Sequence, residues 1–190
     1  MLIIDNYDSF TYNIVEYLRI LGQNPIVIKN DELSIAELKK INFKSLIISP
    51  GWGTPDNAGI SNDAIKEFYT TKKILGICLG HQCICKFFGS NIVKAKTPVH
   101  GKTSYIYTDK TCPIFKGIKS PCKVTRYHSL IADKINEKEL QITGRTADTK
   151  EIMAVQHKKY PIFGLQFHPE SAASEYGLKM LKNFISYQLF

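Results

Sequence analysis

The chain has 190 residues, of which 44% are hydrophobic and 22% charged, proportions that are typical of a globular protein. Its formal net charge is +8, but the basic residues are spread thinly, and no basic run with interleaved aromatic residues indicates a nucleic-acid groove. Neither a signal peptide nor a run approaching the roughly 18 apolar residues of a membrane span is present, so we expect a cytoplasmic protein with a single domain over residues 1–190 and no nucleic-acid or membrane partner.

Short isoleucine-rich runs alternate with helical patterns over the first half of the chain. The runs predict strands buried on both faces, over residues 2–4, 25–28, 45–48 and 73–77. Apolar residues at three- and four-residue steps from Phe10 to Leu21 predict a first helix. Ser34 and Glu37 have the spacing of a capping box that opens a short second helix through Lys40, and residues 62–70 predict a third. This alternation predicts an open, mostly parallel α/β sheet flanked by helices.

After about residue 90 the pattern changes to short strands separated by turn residues. These predicted strands cover residues 91–96, 104–108, 123–127, 139–143 and 151–156. We interpret them as antiparallel edge strands and hairpins added to the parallel core. Residues 174–187 predict a closing amphipathic helix, with Leu178, Leu181, Phe184 and Ile185 facing inward.

The segment Gly76-Ile77-Cys78-Leu79-Gly80 lies between a predicted strand and a predicted helix. Small residues two before and two after Cys78 allow the tight turn that presents the serine of G-x-S-x-G enzymes at the carboxyl end of a sheet. Unpaired N–H groups at the start of the helix favour thiolate over thiol, and the N–H of Leu79 is placed to stabilise an oxyanion. We therefore predict that Cys78 is a nucleophile.

The other cysteines indicate packing rather than chemistry. Five cysteines are an odd number in an apparently cytosolic chain, which argues against a disulfide framework. Cys83 and Cys85 lack a second pair of ligands at zinc-site spacing, so no metal site is predicted. We interpret Cys83, Cys85, Cys112 and Cys122 as small apolar residues.

His168 is the favoured base for Cys78. It follows the apolar run 162–167 and precedes Pro169 and Glu170, and residues two apart on extended backbone face the same side. Glu170 can therefore orient the imidazole, although a chance His-x-Glu pair at a strand end is the alternative. We expect the other histidines to lie elsewhere, with His81 pointing away from the nucleophile, His157 exposed, His100 in a loop and His128 at a strand end.

A glycine-rich turn, residues 50–55, follows the third predicted strand. Gly51 and Gly53 permit positive φ and a close approach of backbone to a substrate, which would supply a second oxyanion donor. Proline and glycine are equally common in ordinary surface turns, so the residues of this segment alone leave the choice open.

Three separated motifs resemble those of class I (triad-type) glutamine amidotransferases: residues 76–82 (GICLGHQ), 167–171 (FHPES) and 49–55 (SPGWGTP). The resemblance covers essentially the whole chain. Residues 5–13 (DNYDSFTYN), 100–104 (HGKTS) and 126–130 (RYHSL) are further similar to the small subunits, or components II, of anthranilate synthase and aminodeoxychorismate synthase.

The resemblance implies that Cys78 attacks the side-chain amide of L-glutamine, that His168 shuttles the proton and that Glu170 orients His168. It implies that the substrate-binding residues are Gly51, Trp52, Gly53, Leu79, Gln82, Ser129 and Leu130. Trp52 stands where the family loop usually has a proline, so the loop loses a fixed φ and gains an aromatic surface whose role stays open.

The resemblance also implies a partner, a larger synthase subunit that binds chorismate and Mg²⁺ and receives the ammonia. This chain itself is expected to hold no cofactor. The product would be anthranilate, for tryptophan biosynthesis, or aminodeoxychorismate, for folate biosynthesis, or the subunit would be shared by both. The residues of this chain do not decide between these pathways, because the chorismate site lies in the partner.

Two other classes of protein fit less well. A cysteine peptidase or chaperone-like hydrolase of similar architecture commonly has histidine directly after the nucleophile, where this chain has Leu79. A binding subunit that has lost catalysis would not be expected to keep Cys78, His168 and Glu170 together.

Overall fold

The structure is a computed structural model that describes residues 1–188. Its strands are β1 (Leu2–Asn6), β2 (Ile26–Lys29), β3 (Ser45–Gly51), β4 (Lys73–Ile77), β5 (Asn91–Thr108), β6 (Cys122–Asp133), β7 (Leu140–Thr146), β8 (Ile152–His157) and β9 (Ile162–Leu165). Its helices are α1 (Thr11–Ile20), α2 (Ile35–Leu38), α3 (Ser61–Phe68), α4 (Leu79–Phe87) and α5 (Gly177–Ser186). No helix in residues 1–188 is long and apolar enough to cross a membrane.

All nine strands join one sheet in the order β2-β1-β3-β4-β9-β8-β7-β5-β6. The strands β2, β1, β3, β4 and β9 are mutually parallel, and the remaining pairings are antiparallel. The prediction of a mostly parallel α/β sheet with added antiparallel strands is therefore confirmed. The strand β4 lies between β3 and β9, and β9 is far from it along the chain. In the pairing of β4 with β9, Ile77 lies opposite Leu165. The carboxyl ends of these two strands meet at one edge.

Helices cover both faces of the parallel strands. Side chains of α1 and α5 pack against one face, where Ile3, Ile47 and Leu75 are buried. Side chains of α2, α3 and α4 pack against the other face, where the alternate strand residues, such as Ile4 and Ile48, are buried. Burial on both faces explains the continuous apolar runs of these strands.

Local signals placed most helices within two residues of their observed ends. The capping box is present, since the Ser34 hydroxyl accepts from the Glu37 N–H and the Glu37 carboxylate accepts from the Ser34 N–H. The helix opened by that cap is a single short turn, which ends at Leu38 rather than Lys40. Its brevity is consistent with the high cost of helix nucleation outside a long amphipathic pattern.

Two predictions about elements after residue 90 are wrong. The segments 91–96 and 104–108 are parts of the single strand β5, which bends through irregularities in its pairing with β6, and His100 lies in this strand rather than in a loop. The closing helix begins at Gly177 rather than Ser174, because the Ser174 side chain hydrogen-bonds the backbone of Thr125 and His168. As a result Met180 is buried, and Leu178 is exposed.

Candidate active site

Cys78 sits in a strained turn between β4 and α4, with φ 52° and ψ −101°. Two glycines make this turn possible. A Cβ on Gly76 would lie 2.3 Å from the carbonyl oxygen of Gly80, and a Cβ on Gly80 would lie 2.4 Å from the carbonyl oxygen of Ile48. Neither position tolerates a side chain, since a real Cβ does not approach backbone so closely. The turn therefore fixes the direction of the Cys78 side chain.

The start of α4 provides backbone donors beside the sulfur. The first helical residue is Leu79, and the Cys78 carbonyl already accepts the first bond of the helix, from the Gln82 N–H at 3.1 Å. The N–H groups of the first turn have no acceptor within the helix. The Leu79 N–H is thus one of the free donors next to Cys78, and its role as an oxyanion donor stays a prediction.

His168 and Glu170 form a buried pair just beyond the end of β9. The His168 Nδ1 and Glu170 Oε1 atoms are 2.6 Å apart, and both side chains are almost fully buried. The His168 N–H donates to the Thr125 carbonyl at 3.0 Å, which ties this segment to β6. Because Nδ1 is held by the carboxylate, Nε2 is the atom left to exchange a proton with a substrate or nucleophile; it has no hydrogen-bond partner among residues 1–188.

The environment of His168 favours its charged form. Burial by itself would lower the pKa of His168, but the Glu170 carboxylate and the Cys78 sulfur outweigh it and raise the pKa well above the usual value. The rings of Phe10 and Tyr127 also enclose the imidazole, with centroids at 5.5 and 5.2 Å. Neither aromatic residue was predicted from the sequence to be part of the site, although Phe10 lies in the motif 5–13 and Tyr127 in the motif 126–130.

Glu170→Gln should lower the pKa of His168, because it removes the charge that opposes burial. We expect the midpoint of the imidazole titration, followed by NMR, to fall by about one to three pH units. The folded pKa of His168 is raised, so the pair stabilises the fold fully below the unfolded pKa, near 6.5, and this stability is lost as the pH rises through the folded pKa. Wild type should therefore lose more of its unfolding free energy than Glu170→Gln as the pH increases through that range.

Glu175→Gln is the matched control, because Glu175 lies in the same loop but is exposed. It removes one negative charge and should leave the titration of His168 in place. An unchanged midpoint in Glu170→Gln would show that the carboxylate does not set the charge of the imidazole.

All seven predicted substrate-binding residues line one cavity beside Cys78. The lining includes Gly51, Trp52, Gly53, Leu79, Gln82, Ser129 and Leu130. His168 lines an adjoining cavity that shares Cys78, Gly51 and Trp52 with the first, while Glu170 lies behind His168. The structure thus brings every predicted site residue to the edge where β4 and β9 end.

The glycine-rich turn packs directly against the start of α4. A Cβ on Gly51 would lie 2.8 Å from a methyl carbon of Leu79 and 2.5 Å from the Cβ of Asn6, and Gly53 has φ +84°. Asn6 also holds the turn at its base, because its backbone N–H and side-chain amide both donate to Ser49. The turn is therefore part of the site, and Trp52 is 78% exposed at its tip.

His100 and His128 line the cavity beside Cys78, whereas His81 and His157 do not, and the prediction that His157 is exposed is wrong. His157 is buried, and its Nδ1 accepts the backbone N–H groups of Lys159 and Tyr160 at 2.9 Å each. The chain turns back over the ring, which leaves only the neighbouring lysines in solvent. His81 is also buried beneath the turn; burial lowers its pKa to about 4, against a smaller raising effect from the Gly164 backbone.

His128 is likewise not at the end of a strand. It lies within β6, which continues to Asp133 because β5 pairs with it beyond the irregularity at residues 94–99. Its ring contacts the side chain of Arg126 and the carbonyl of Leu130, and the residue lines the cavity beside Cys78.

Cys78 differs from the other cysteines in its surroundings. All five are free and buried, but Cys78 lines the two cavities described above, whereas the other four do not. Burial raises the pKa of Cys83 to about 12 and that of Cys112 to about 11, which leaves these thiols protonated and unreactive at neutral pH. In residues 1–188 no group of three or more His, Cys, Asp or Glu side chains is arranged to hold a metal ion.

Comparisons with known proteins identify relatives along nearly the whole chain. The profile of the family described as glutamine amidotransferase class-I matches residues 2–187. The chain is 50% identical over 188 residues to aminodeoxychorismate/anthranilate synthase component 2 of Bacillus subtilis (strain 168), covering 97% of this chain and 95% of that protein. It is 46% identical over 190 residues to anthranilate synthase component 2 of Saccharolobus solfataricus, covering 97% of each.

Solved structures resemble the fold as well. A Thermoplasma acidophilum protein, provisionally described as part of a GMP synthase, matches with a TM-score of 0.86 and 29% identity. The match covers 97% of this chain and 90% of that chain. The similarity in sequence and the similarity in fold therefore extend over the same length.

Proposed function

The chain belongs to the class I glutamine amidotransferase family, and from this premise we propose that it is the glutaminase subunit of a chorismate-aminating synthase. It hydrolyses L-glutamine to glutamate and passes the ammonia to a chorismate-binding subunit, as in anthranilate synthase of tryptophan biosynthesis. The observation that carries the proposal is the convergence of Cys78 and the His168–Glu170 pair at the adjoining ends of β4 and β9. Family membership disfavours the peptidase alternative, and the intact triad disfavours a binding subunit without catalysis.

The reaction begins with attack of the Cys78 sulfur on the side-chain amide carbon of glutamine. The carbonyl oxygen becomes an oxyanion, which the Leu79 N–H and an N–H of the glycine loop, residues 51–53, would stabilise. His168 Nε2 then donates its proton to the leaving nitrogen, the C–N bond breaks and ammonia leaves, and a γ-glutamyl thioester remains on Cys78. The strain at Cys78 and the backbone donors beside it support this assignment.

The second half of the reaction restores the enzyme. His168 removes a proton from water, the resulting hydroxide attacks the thioester, and glutamate leaves as the sulfur is released. Glu170 holds the imidazole by Nδ1 and stabilises its charged form in both steps. Residues 51–53, Gln82, Ser129 and Leu130 hold the rest of the glutamine; the two N–H groups of the Gln82 side chain are already used within the protein, so its oxygen is the atom that faces a ligand.

The proposal includes the setting in which this chemistry occurs. Residues 1–190 form a single amidotransferase domain of a cytoplasmic complex, and Mg²⁺ and chorismate bind to the partner rather than to this chain. Ammonia must remain unprotonated to act as a nucleophile, which favours its transfer across a closed subunit interface. The alternative product is aminodeoxychorismate, as the double name of the Bacillus subtilis relative suggests for that protein.

Docking of the synthase subunit is expected to raise glutaminase turnover above that of this chain alone. The physical reason is that the partner would pack against Trp52, which is 78% exposed at the tip of the glycine loop, and would hold that loop with its N–H directed at the oxyanion. The rate of glutamate release should be measured with and without the chorismate-binding subunit. With the subunit present, the rate should be expressed per mole of complex rather than per mole of this chain. Equal turnover in both cases would contradict the coupling.

The same mixture identifies the pathway. This chain is combined with each chorismate-binding subunit from its own source, together with glutamine, chorismate and Mg²⁺. Anthranilate is detected by its fluorescence, and aminodeoxychorismate is detected as 4-aminobenzoate after addition of the lyase. Product with one partner assigns the pathway, product with both identifies a shared subunit, and product with neither, when both partners are active on ammonia, would overturn the proposal.

A further inference from the structure

A continuous path of hydrogen bonds runs through the buried layer behind the cavity and ends on the nucleophilic sulfur. The Arg126 Nε–H donates to His128 Nε2 at 3.0 Å, and His128 Nδ1 lies 3.0 Å from the Leu130 carbonyl oxygen. The side-chain amide of Gln82 lies 3.2 Å from that same oxygen and 3.2 Å from the side chain of Gln166. The Gln166 Nε2 atom, finally, is 3.7 Å from Cys78 Sγ.

The donors and acceptors in the first two hydrogen bonds, from Arg126 to His128 and from His128 to Leu130, follow from the chemistry of these groups. Arginine only donates, so the His128 Nε2 must accept, and the proton of a neutral imidazole must then be on Nδ1. Burial and the neighbouring Arg126 charge lower the pKa of His128 to about 3, which keeps the ring neutral. Nδ1–H therefore donates to the Leu130 carbonyl, which can only accept. Arg126 itself is anchored by a buried ion pair with Glu151.

The same reasoning settles the orientation of both side-chain amides. Because the Leu130 carbonyl only accepts, the end of Gln82 that faces it must be the NH₂ group, which also reaches Gln166. Gln166 must therefore present its oxygen to Gln82, and its NH₂ group must face Cys78. Gln166 is fully buried, so it has no water as an alternative partner. The sulfur thus receives an N–H donor whose direction is set, through Gln82, by the Leu130 carbonyl.

We propose that Gln166 is a further catalytic residue, whose side-chain N–H donates to the Cys78 sulfur, and that Arg126 and His128 are positioning residues that hold the Leu130 carbonyl from which the direction of this bond follows. The catalytic meaning rests on the proposed function, whereas the hydrogen bond to the sulfur does not. A donor to the charged form of a nucleophile favours that form. Gln166 lies two residues before His168, so the segment that ends β9 presents both the proton carrier and this donor to the end of β4.

The first test is the pH profile of alkylation of Cys78 by iodoacetamide, which reports the thiolate without requiring glutaminase activity. Relative to wild type, Gln166→Met removes the donor and should move the midpoint of the profile by about one pH unit to higher pH. Gln166→Glu places an acceptor and a negative charge beside the sulfur, so its midpoint should move further. His168 also faces the sulfur and His100 lines the cavity, but both are retained in every variant.

Gln141→Met and Gln141→Glu are the matched controls, because Gln141 is an exposed residue of β7. Their midpoints should equal that of wild type. An unshifted profile in Gln166→Met would overturn the proposal, as would a shift in Gln166→Glu that is no larger than that in Gln166→Met. If the other variants do not fold, the alkylation profile is measured on Gln166→Asn, whose smaller side chain fits the same space. Its midpoint should also move to higher pH.

The rate of glutamine hydrolysis tests the catalytic role of Gln166. We expect kcat to fall about 10- to 100-fold in Gln166→Met, since a hydrogen bond to a charged group is lost, while the Gln141 variants stay at the wild-type value. If wild type is inactive on glutamine even with the chorismate-binding subunit present, but the alkylation profiles shift as expected, the proposed function fails while the bond to the sulfur stands. If wild type is active and Gln166→Met matches its kcat, the catalytic role of Gln166 is wrong.

The positioning role of His128 is tested by rescue. His128→Leu removes both bonds of the ring, so the Leu130 carbonyl that orients Gln82 loses its anchor, and the alkylation midpoint should move to higher pH by less than in Gln166→Met. His128→Gln keeps one acceptor for Arg126 and one donor for the Leu130 carbonyl and should restore the wild-type profile. No shift in His128→Leu, or a shift that His128→Gln does not restore, would overturn the positioning role.

Discussion

Cys78→Ser should abolish glutamine-dependent product formation by the complex while leaving its activity with ammonium salts unchanged. In the proposed mechanism the Cys78 sulfur is the attacking atom, and a serine hydroxyl at this position would be both less acidic and less nucleophilic, so we expect a loss of at least about 10³-fold with glutamine. Added ammonia bypasses the step, because it reaches the synthase subunit without a thioester. The measurement compares the rates of product formation from glutamine and from ammonium at saturating chorismate.

The control for this substitution is Cys83→Ala, which removes a buried thiol from the same helix, α4. It should cost some stability through a small cavity, but glutamine-dependent activity should persist. Persistent glutamine-dependent activity in Cys78→Ser itself would show that another group is the nucleophile. Loss of the ammonium-dependent rate as well would indicate that the substitution disrupts the complex rather than the chemistry.

Gly76→Ala is expected to have the largest effect on the fold around the site. The new Cβ would meet the carbonyl oxygen of Gly80 at 2.3 Å, and this neighbour is backbone, which cannot rotate away. The turn must open, so we expect a loss of more than about 3 kcal/mol of unfolding free energy and loss of glutaminase activity in the remaining folded protein. Denaturant unfolding and glutamate release measure the two effects.

Gly22→Ala separates this clash from ordinary glycine strain. Gly22 has φ +76° at the end of α1, but a Cβ there would meet nothing within 4 Å. We expect about 1 kcal/mol of destabilisation from the left-handed backbone and no change in activity. If Gly76→Ala were as stable and as active as Gly22→Ala, the strained turn at Cys78 would not be required.

The sequence by itself determined those features that depend on neighbouring residues. The spacing of Gly76 and Gly80 around Cys78 predicted the turn, because both glycines are needed for steric reasons within one short stretch of chain. The His168 and Glu170 pair was predicted on the same ground, since residues two apart on extended backbone share a face. Continuous apolar runs likewise predicted strands covered by helices on both faces, which the structure confirms.

Features that join distant segments were not accessible in this way. Nothing in the residues of β4 says that β9 is its neighbour, yet that pairing is what places Gln166 against Cys78. The burial of His157, beside two lysines in sequence, depends on a turn that closes over the ring. The glycine-rich turn became part of the site only through its contact with Leu79.

The division has a physical reason. Backbone geometry over a few residues sets the strain of a turn, the period of a helix and the face that residues of a strand share. These features therefore leave a residue pattern that is visible in the sequence. Strand order depends on which distant segments come together, and closing the long loops between them costs conformational entropy. The direction of the buried hydrogen bonds depends on donors and acceptors, such as Arg126 and the Leu130 carbonyl, that meet only in the folded chain. The turn at Cys78 and the pairing of His168 with Glu170 were therefore determined by nearby residues, whereas the hydrogen-bond path from Arg126 to Gln166 was determined by the tertiary structure.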